Sequence, residues 1–313
     1  MEGWGENDIV IARPANSATI QPVIDLVCNS VDSPHTRRAY ERALGDFMTW
    51  YVGEGRGVLN KATVQLYLIV LRKAGTSESS INQRLTAIRK LAAELADNEI
   101  ISESAAHAIQ RVKSVRKEGK RLGNWLTREQ AQALLDAPNV KTIKGLRDRA
   151  ILAVLLGAGL RREECVKLTI GHLQQRDGRW AIVDLVGKRN KMRSVPVDSW
   201  IKHAIDTYLA GASIADGTLF RAARKGGKLE GRGMTPQAIL DMVQSYAGPL
   251  GLTVRPHDLR RTFAKLAQKG GAEIQQIQFS LGHSSVQTTE RYLGTHQDFT
   301  TAPSDVLGLR INA

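Results

Sequence analysis

Between residues 111 and 121 the chain reads "RVKSVRKEGKR", six basic residues and one acidic, with a glycine near the end. Such a run reads as a charged linker, and it divides the chain into two stretches that each carry their own apolar periodicity. At 313 residues the chain is too long for one ordinary core, and two domains are the natural solution. The expected organisation is an arm over 1–20, a helical domain over 21–113, the basic linker over 114–124, a second domain over 125–302 and a tail over 303–313. A solvated tether and a segment in direct contact with phosphate need the same composition, so the linker's charge fits both.

The first domain reads as four helices. In "SPHTRRAYERALGDFMTWY", Tyr40, Leu44, Phe47 and Tyr51 fall at helical spacing, with Pro34 near the start and Gly53 past the end. "NKATVQLYLIVLRKAG" gives a second helix closed by Gly75. "SSINQRLTAIRKLAAELA" gives a third with Ile81, Leu85, Ile88, Leu91 and Leu95 on one stripe, and "SESAAHAIQRV" a shorter fourth.

The second domain opens on "TREQAQALLDA", where Thr127 and Gln130 suit a capping box, and continues through a core helix near 145–158 and a short helix from about Arg161. In "RWAIVDLVGKRNKMRSVPV", β-branched runs flank "GKRN", the pattern of a hairpin. Three or four helices follow, one capped by Thr235 with Pro236 in its first turn. The expected fold class is mainly α with a small antiparallel β-sheet: a four-helix N-terminal domain and a mixed α/β second domain.

Lys and Arg number 44 against 31 Asp and Glu, a formal charge of +13. This excess either meets an anionic partner, most commonly nucleic acid, or remains a solvated surface. Cys28 and Cys165 are the only cysteines and lack metal-site or disulfide spacing, which suits a reducing compartment. The longest nearly apolar run, "AILAVLLGAGL", is too short to span a bilayer, and the N-terminus has no apolar stretch like that of a signal peptide. A cytoplasmic protein without membrane association is expected.

Several polar residues stand out, each with an ordinary alternative. Arg161 is placed in the first turn of a helix with Glu164 three residues on; an arginine there opposes the macrodipole, and the plain reading is a surface ion pair. Pro256 sets a helix start near His257, whose face Arg260 shares; both side chains reach one anion, or form an ordinary basic helix face. Lys188 and Arg189 sit at the hairpin tip, reaching a phosphate or simply solvated. Tyr292 lies nine residues after His283, half a rotation away on a straight helix, so only a turn at "GHSS" brings the two together. Otherwise Tyr292 is one more half-buried aromatic. Residues 222–232, "AARKGGKLEGR", read as a flexible basic loop without P-loop spacing.

Taken in chain order, "GLRREE", "VGKRNKMRSVPV", "HDLRRTFA" and "LGHSSVQTTERY" resemble the tyrosine recombinase (phage integrase) family over residues 125 to about 295, in a two-domain, Xer-like form. The region 21–113 is similar to that family's core-binding, SAM-like domain. The resemblance implies site-specific DNA strand exchange, with Tyr292 as nucleophile, Arg161 and Arg260 as phosphate clamps, and Lys188 as general acid. His257 and His283 become proton-transfer or hydrogen-bonding partners, and Glu164 supports the site. It implies no cofactor, metal or ATP, and the chain lacks a P-loop and clustered metal ligands. Duplex DNA bearing a specific site is the implied partner, met by a homotetramer with accessory proteins as further partners. Arg37, Arg38, Arg84, Arg89, Lys117, Lys120, Arg121 and Arg189 are the expected DNA contacts. Arg189 departs from the family's usual glycine, and Arg162 and Cys165 replace smaller or apolar neighbours. The apolar tail residues Val306, Leu307, Leu309 and Ile311 dock either on a neighbouring subunit or on their own domain. A type IB topoisomerase and a DNA-binding protein with an idle site share these features.

Overall fold

The computed structural model describes residues 17–54, 59–116, 124–187, 191–224, 227 and 229–294, and the chain divides into two compact units, Met1–Lys120 and Arg121–Ala313. Lys117, Lys120, Arg121, Lys188, Arg189, most of the N-terminal arm and the whole tail lie outside the described residues.

The first unit is helical: α1 (Ser17–Asn29), α2 (Pro34–Gly53), α3 (Lys61–Lys73), α4 (Glu78–Asp97) and α5 (Glu103–Gln110). The four expected helices are α2 to α5, and each begins at a side chain that accepts a bond from its first turn: Ser33, Asn60, Ser77 and Ser102. The additional α1 begins within the stretch read as an arm. Pro22 lies inside it and masks the helix in the sequence. Ile20, Val23, Ile24, Val27 and Cys28 nonetheless follow the helical stripe, and all are buried. Phe47 meets Tyr67 edge-on at 5.0 Å in this core. Asn82 of α4 donates to the Val115 carbonyl oxygen at 2.9 Å and accepts from its N–H at 2.8 Å, fixing the chain that leads toward the linker.

The second unit contains α6 (Arg128–Asp136), α7 (Ile143–Gly157), α8 (Arg162–Cys165), β1 (Leu173–Arg176), β2 (Arg179–Val186), β3 (Met192–Pro196) and α9 (Ser199–Ala212). It continues with β4 (Arg221–Ala223), β5 (Leu229–Gly233), α10 (Pro236–Ala247), α11 (Pro256–Lys269), α12 (Ile274–Leu281) and α13 (Val286–Leu293). α7 is the central helix: Ala150 to Leu155 are all fully buried, so its apolar surface wraps the whole helix. Thr127 and Gln130 form the capping box of α6.

The sheet is antiparallel in the order β1-β2-β3, so the hairpin carries an extra strand on its outer side. Ile182 pairs with Val195 and Leu185 with Arg193 across β2 and β3. The two ends of the stretch 222–232, read as a flexible loop, lie in a second antiparallel pair, β4 with β5, while residues 225, 226 and 228 are outside the described residues. Alanine in β4 and glycine and glutamate in β5 hide these strands, because all three are poor strand formers. An ionic cluster is buried beside α7. Asp148, fully inaccessible, accepts bonds from Arg147 at 2.7 and 2.9 Å, from Lys144 at 2.8 Å and from the Tyr246 hydroxyl at 2.9 Å.

Candidate active site

α7 ends at Gly157, and Gly159 takes φ +61°, where a Cβ would come within 2.5 Å of the Phe263 ring. Only glycine fits this tight left-handed turn. The turn delivers Arg161 as the N-cap of α8, rather than into its first turn as the sequence suggested. At the cap, Arg161 sends its backbone N–H to Glu164 Oε2 at 2.8 Å and its Nη1 to Glu164 Oε1 at 2.7 Å. The carboxylate therefore answers the cation that would otherwise oppose the helix dipole.

Glu164 is 6% exposed and carries a second arginine. Arg193 on β3 meets both of its oxygens at 2.8 Å, fork to fork, and its Nε donates to the Ser280 carbonyl oxygen at 2.9 Å. Burial raises the Glu164 carboxyl, but the bonds and charge of Arg193, with those of Arg161, outweigh it and hold the pKa at about 2.

α11 opens at Pro256, and Arg255 before it is extended, as a residue preceding proline must be. One turn on, Arg260 is 1% exposed; Nη1 donates to the Gly159 carbonyl oxygen at 2.7 Å and Nη2 to that of Leu281. The face it shares with His257 is thus no solvated basic stripe, since this guanidinium ties α11 to the ends of α7 and α12. Burial and the neighbouring Arg161 lower its pKa to about 10, so it stays charged at neutral pH.

α12 ends at Gly282, φ +61°, and α13 starts after the N-cap Ser285, whose side chain makes no capping bond. This break replaces the straight helix that would have separated His283 from Tyr292. The two rings now meet edge to face, with centroids 5.3 Å apart, and His257 meets Tyr292 from another side at 5.5 Å. The Tyr292 hydroxyl lies 3.5 Å from His257 Nε2 and 3.3 Å from the His257 carbonyl oxygen. His283 Nδ1 is 3.0 Å from the Thr289 hydroxyl.

Burial, reinforced by Arg260 and Arg161, lowers the His283 pKa to about 4, and burial with Arg260 and Arg261 lowers that of His257. Both imidazoles are neutral at pH 7. Burial raises the Tyr292 phenol, against the opposing pull of Arg260, Arg261 and Arg161. The phenol is therefore protonated at neutral pH, and it ionises more readily once its proton has an acceptor.

Arg161, Glu164, His257, Arg260, His283 and Tyr292 thus converge in space from α8, α11, α13 and the break between α12 and α13. Arg161, Arg162, Arg255, His257 and Arg260 line an open concavity of about 340 Å³. Two residues absent from the sequence reading join them: Arg193, and Arg261, whose guanidinium carbon lies 4.9 Å from the Tyr292 ring centroid. Strand alternation carried a signal for Arg193, which shares a face with the buried Val195 and so needs a buried partner. Among the described residues no cluster of His, Cys, Asp or Glu forms a metal-binding group.

In the first unit, His35, Arg38, Arg42, Ser80, Gln83 and Arg84 line a basic concavity. The sequence-expected contacts differ in their freedom there. Arg38 is exposed, with its guanidinium 3.2 Å from His35 Nδ1. Arg37 donates to the Cys28 carbonyl oxygen at 3.1 Å, Arg84 pairs with Asp46 at 2.7 Å and bonds Tyr67, and Arg89 donates to the Val112 carbonyl oxygen. Arg84 and Arg89 therefore also hold the domain together.

A helical unit joined to a unit in which arginines and histidines surround one tyrosine defines a class, and two family descriptions match the chain accordingly. Residues 124–299 match the phage integrase family and residues 24–99 the phage integrase N-terminal SAM-like domain. The chain belongs to the phage integrase family and is a tyrosine recombinase of the two-domain, Xer-like kind. It is 36% identical to the tyrosine recombinase XerC of Myxococcus xanthus over 272 residues, 83% of this chain and 87% of the relative. With XerC of Agrobacterium fabrum it shares 31% over 307 residues, 93% of this chain and 91% of the relative. The crystal structure of the XerH site-specific recombinase bound to palindromic difH substrate shares the fold, with a TM-score of 0.71 at 19% identity over 89% of this chain and 81% of that one. No helix among the described residues is long and apolar enough to cross a membrane.

Proposed function

We propose that the chain is a site-specific recombinase that cuts and rejoins duplex DNA through a 3′-phosphotyrosyl intermediate. The observation that carries this is the position of the Tyr292 hydroxyl, 3.5 Å from His257 Nε2 and ringed by His283, Arg260 and Arg261. In the reaction the Tyr292 oxygen bonds to the scissile phosphorus while the bond to the 5′ oxygen breaks. The phenolic proton passes to His257 or to solvent, and the departing 5′ oxygen takes a proton from Lys188, a residue outside the described ones. Arg161 and Arg260 meet the charge that gathers on the nonbridging oxygens, and His283 hydrogen-bonds to the same phosphate. Attack by a 5′ hydroxyl on the phosphotyrosine reverses these changes and frees the tyrosine. The bond energy stays in the ester, so neither ATP nor a metal is required.

In this reading Arg37, Arg38, Arg84, Arg89, Lys117, Lys120, Arg121 and Arg189 contact the duplex backbone, and Arg42 joins them because it lines the same concavity as Arg38. The protein works in the cytoplasm as a homotetramer on a specific site, with accessory proteins as further partners, and residues 303–313 dock on a neighbouring subunit. Deletion of 303–313 should abolish tetramer assembly on DNA while leaving single-site binding intact; unchanged assembly would refute the docking.

A nicked suicide duplex tests the chemistry. Wild type should accumulate a covalent protein–DNA adduct, and Tyr292→Phe should reduce it more than about a thousandfold with unchanged DNA affinity. An adduct that survives in Tyr292→Phe would remove the proposed nucleophile.

A further inference from the structure

Glu164 is one carboxylate shared by two arginines, and the division is unequal. Arg193 takes both oxygens at 2.8 Å, whereas the Arg161 guanidinium reaches one oxygen through Nη1 alone, at 2.7 Å. Among the described residues Nε and Nη2 of Arg161 make no hydrogen bond, and Arg161 lines the concavity beside His257 and Arg260. Arg193 is only 10% exposed at its side chain, and its position is fixed on two further sides. Its Nε donates to Ser280 at 2.9 Å, and a Cβ on Gly282 would lie 2.9 Å from Arg193 Cδ. A side chain at 282 would thus crowd the Arg193 side chain, and that glycine adjoins His283.

We infer that Arg193 is a positioning residue for strand cleavage, occupying Glu164 so that the carboxylate cannot close fork to fork on Arg161 and withdraw that guanidinium from the phosphate. The physical basis is competition. A buried carboxylate deprived of one cation pairs more fully with the cation that remains, because an unpaired buried charge is costly. Without Arg193, the partner within reach is Arg161, and a fork–fork pair consumes two of the N–H vectors that a phosphate needs. Arg193 touches no substrate; it acts through Glu164. The same side chain spans β3 and the end of α12, so one guanidinium holds the segments that carry Arg161 and His283 at a fixed separation.

The inference rests on Arg161 acting as a phosphate clamp, and a double-mutant cycle tests it. Single-turnover cleavage of the suicide duplex is measured in wild type, Arg193→Gln, Glu164→Gln and the double variant, with DNA affinity and thermal melting measured alongside. Arg193→Gln should cleave about ten- to a hundredfold more slowly at saturating DNA, with affinity within about twofold of wild type. Adding Glu164→Gln should restore cleavage by at least about fivefold over Arg193→Gln, because the competing charge is gone. A purely architectural Arg193 gives the opposite pattern: the two losses multiply, and the double variant is slowest.

The cycle is repeated with Arg193→Lys, which keeps the positive charge beside the buried carboxylate. Lysine is a point charge that cannot hold both oxygens, so this variant should show a smaller defect, again relieved by Glu164→Gln. Multiplicative losses in the lysine cycle overturn the inference. Failure of wild type to form an adduct, or an adduct that survives Tyr292→Phe, overturns the cleavage reading itself and is distinguished at the first step.

Discussion

The Arg260 guanidinium donates to the Gly159 carbonyl oxygen at 2.7 Å across a sequence separation of 101 residues, and its other terminal nitrogen reaches the Leu281 carbonyl oxygen. One buried cation thereby ties the turn leading to Arg161 to the helix end leading to His283. Arg260→Lys keeps the charge but cannot span both carbonyls. The loss of one charge-assisted bond predicts about 2 kcal/mol of destabilisation by urea unfolding. Cleavage should fall about a hundredfold, as expected when one preorganised donor to a developing oxyanion is misplaced. A variant that melts like wild type and cleaves at the native rate would show that Arg260 has no such dual role.

His283 is expected to make folding sensitive to acid. Its pKa falls from an ordinary 6.5 to about 4 on folding, so between these values the unfolded chain binds the extra proton. The stability it contributes is therefore fully present above pH 6.5 and is lost as pH drops toward 4. Its share of that loss is on the order of 2 kcal/mol. Denaturant unfolding at pH 7, 5.5 and 4 should show a shallower pH slope for His283→Gln than for wild type. Equal slopes would assign the acid sensitivity to other groups.

What the sequence discloses depends on how far apart the interacting residues lie. α2 to α6 are visible because their caps and stripes act within four residues, as with Ser33 and Thr36 or Thr127 and Gln130. α1 obeys the same rule, but Pro22 speaks against it locally, and the core contacts of Ile20 and Val27 prevail. β4 and β5 depend on pairing with each other, and their own residues argue for a loop. In the site, the Arg161–Glu164 pair spans three residues and is readable, whereas Arg193 reaches Glu164 from 29 residues away. The contact between Tyr292 and His257 spans 35 residues and exists only because α13 packs beside α11. Family motifs put the two histidines and the tyrosine on one page; physical chemistry of the bare sequence leaves them apart.

Asp148 anchors a buried ionic cluster in the second unit, away from the site. It is fully inaccessible and accepts bonds from Arg147, Lys144 and Tyr246, while Arg147 is itself 3% exposed. Asp148→Ala leaves the buried Arg147 guanidinium without its carboxylate. The expected cost is about 3–5 kcal/mol, measured by urea unfolding. Loss of less than about 1 kcal/mol would mean that Arg147 had found water or another acceptor.

Metal dependence separates two ways of stabilising a pentacovalent phosphate. Enzymes that use divalent ions at phosphates gather carboxylates to hold them, and the metal then carries the charge compensation. Around Tyr292 the groups placed to supply that compensation are arginines: Arg260 buried and cationic, Arg161 lining the concavity, and Arg261 against the ring. Glu164, the one nearby buried carboxylate among the described residues, has both oxygens occupied by guanidinium and backbone N–H groups. Adduct formation on the suicide duplex should therefore proceed in EDTA within about twofold of its rate in magnesium, once ionic strength is matched to hold DNA affinity constant. A strict magnesium requirement at matched ionic strength would place the charge compensation on an ion and contradict the roles given to Arg161 and Arg260.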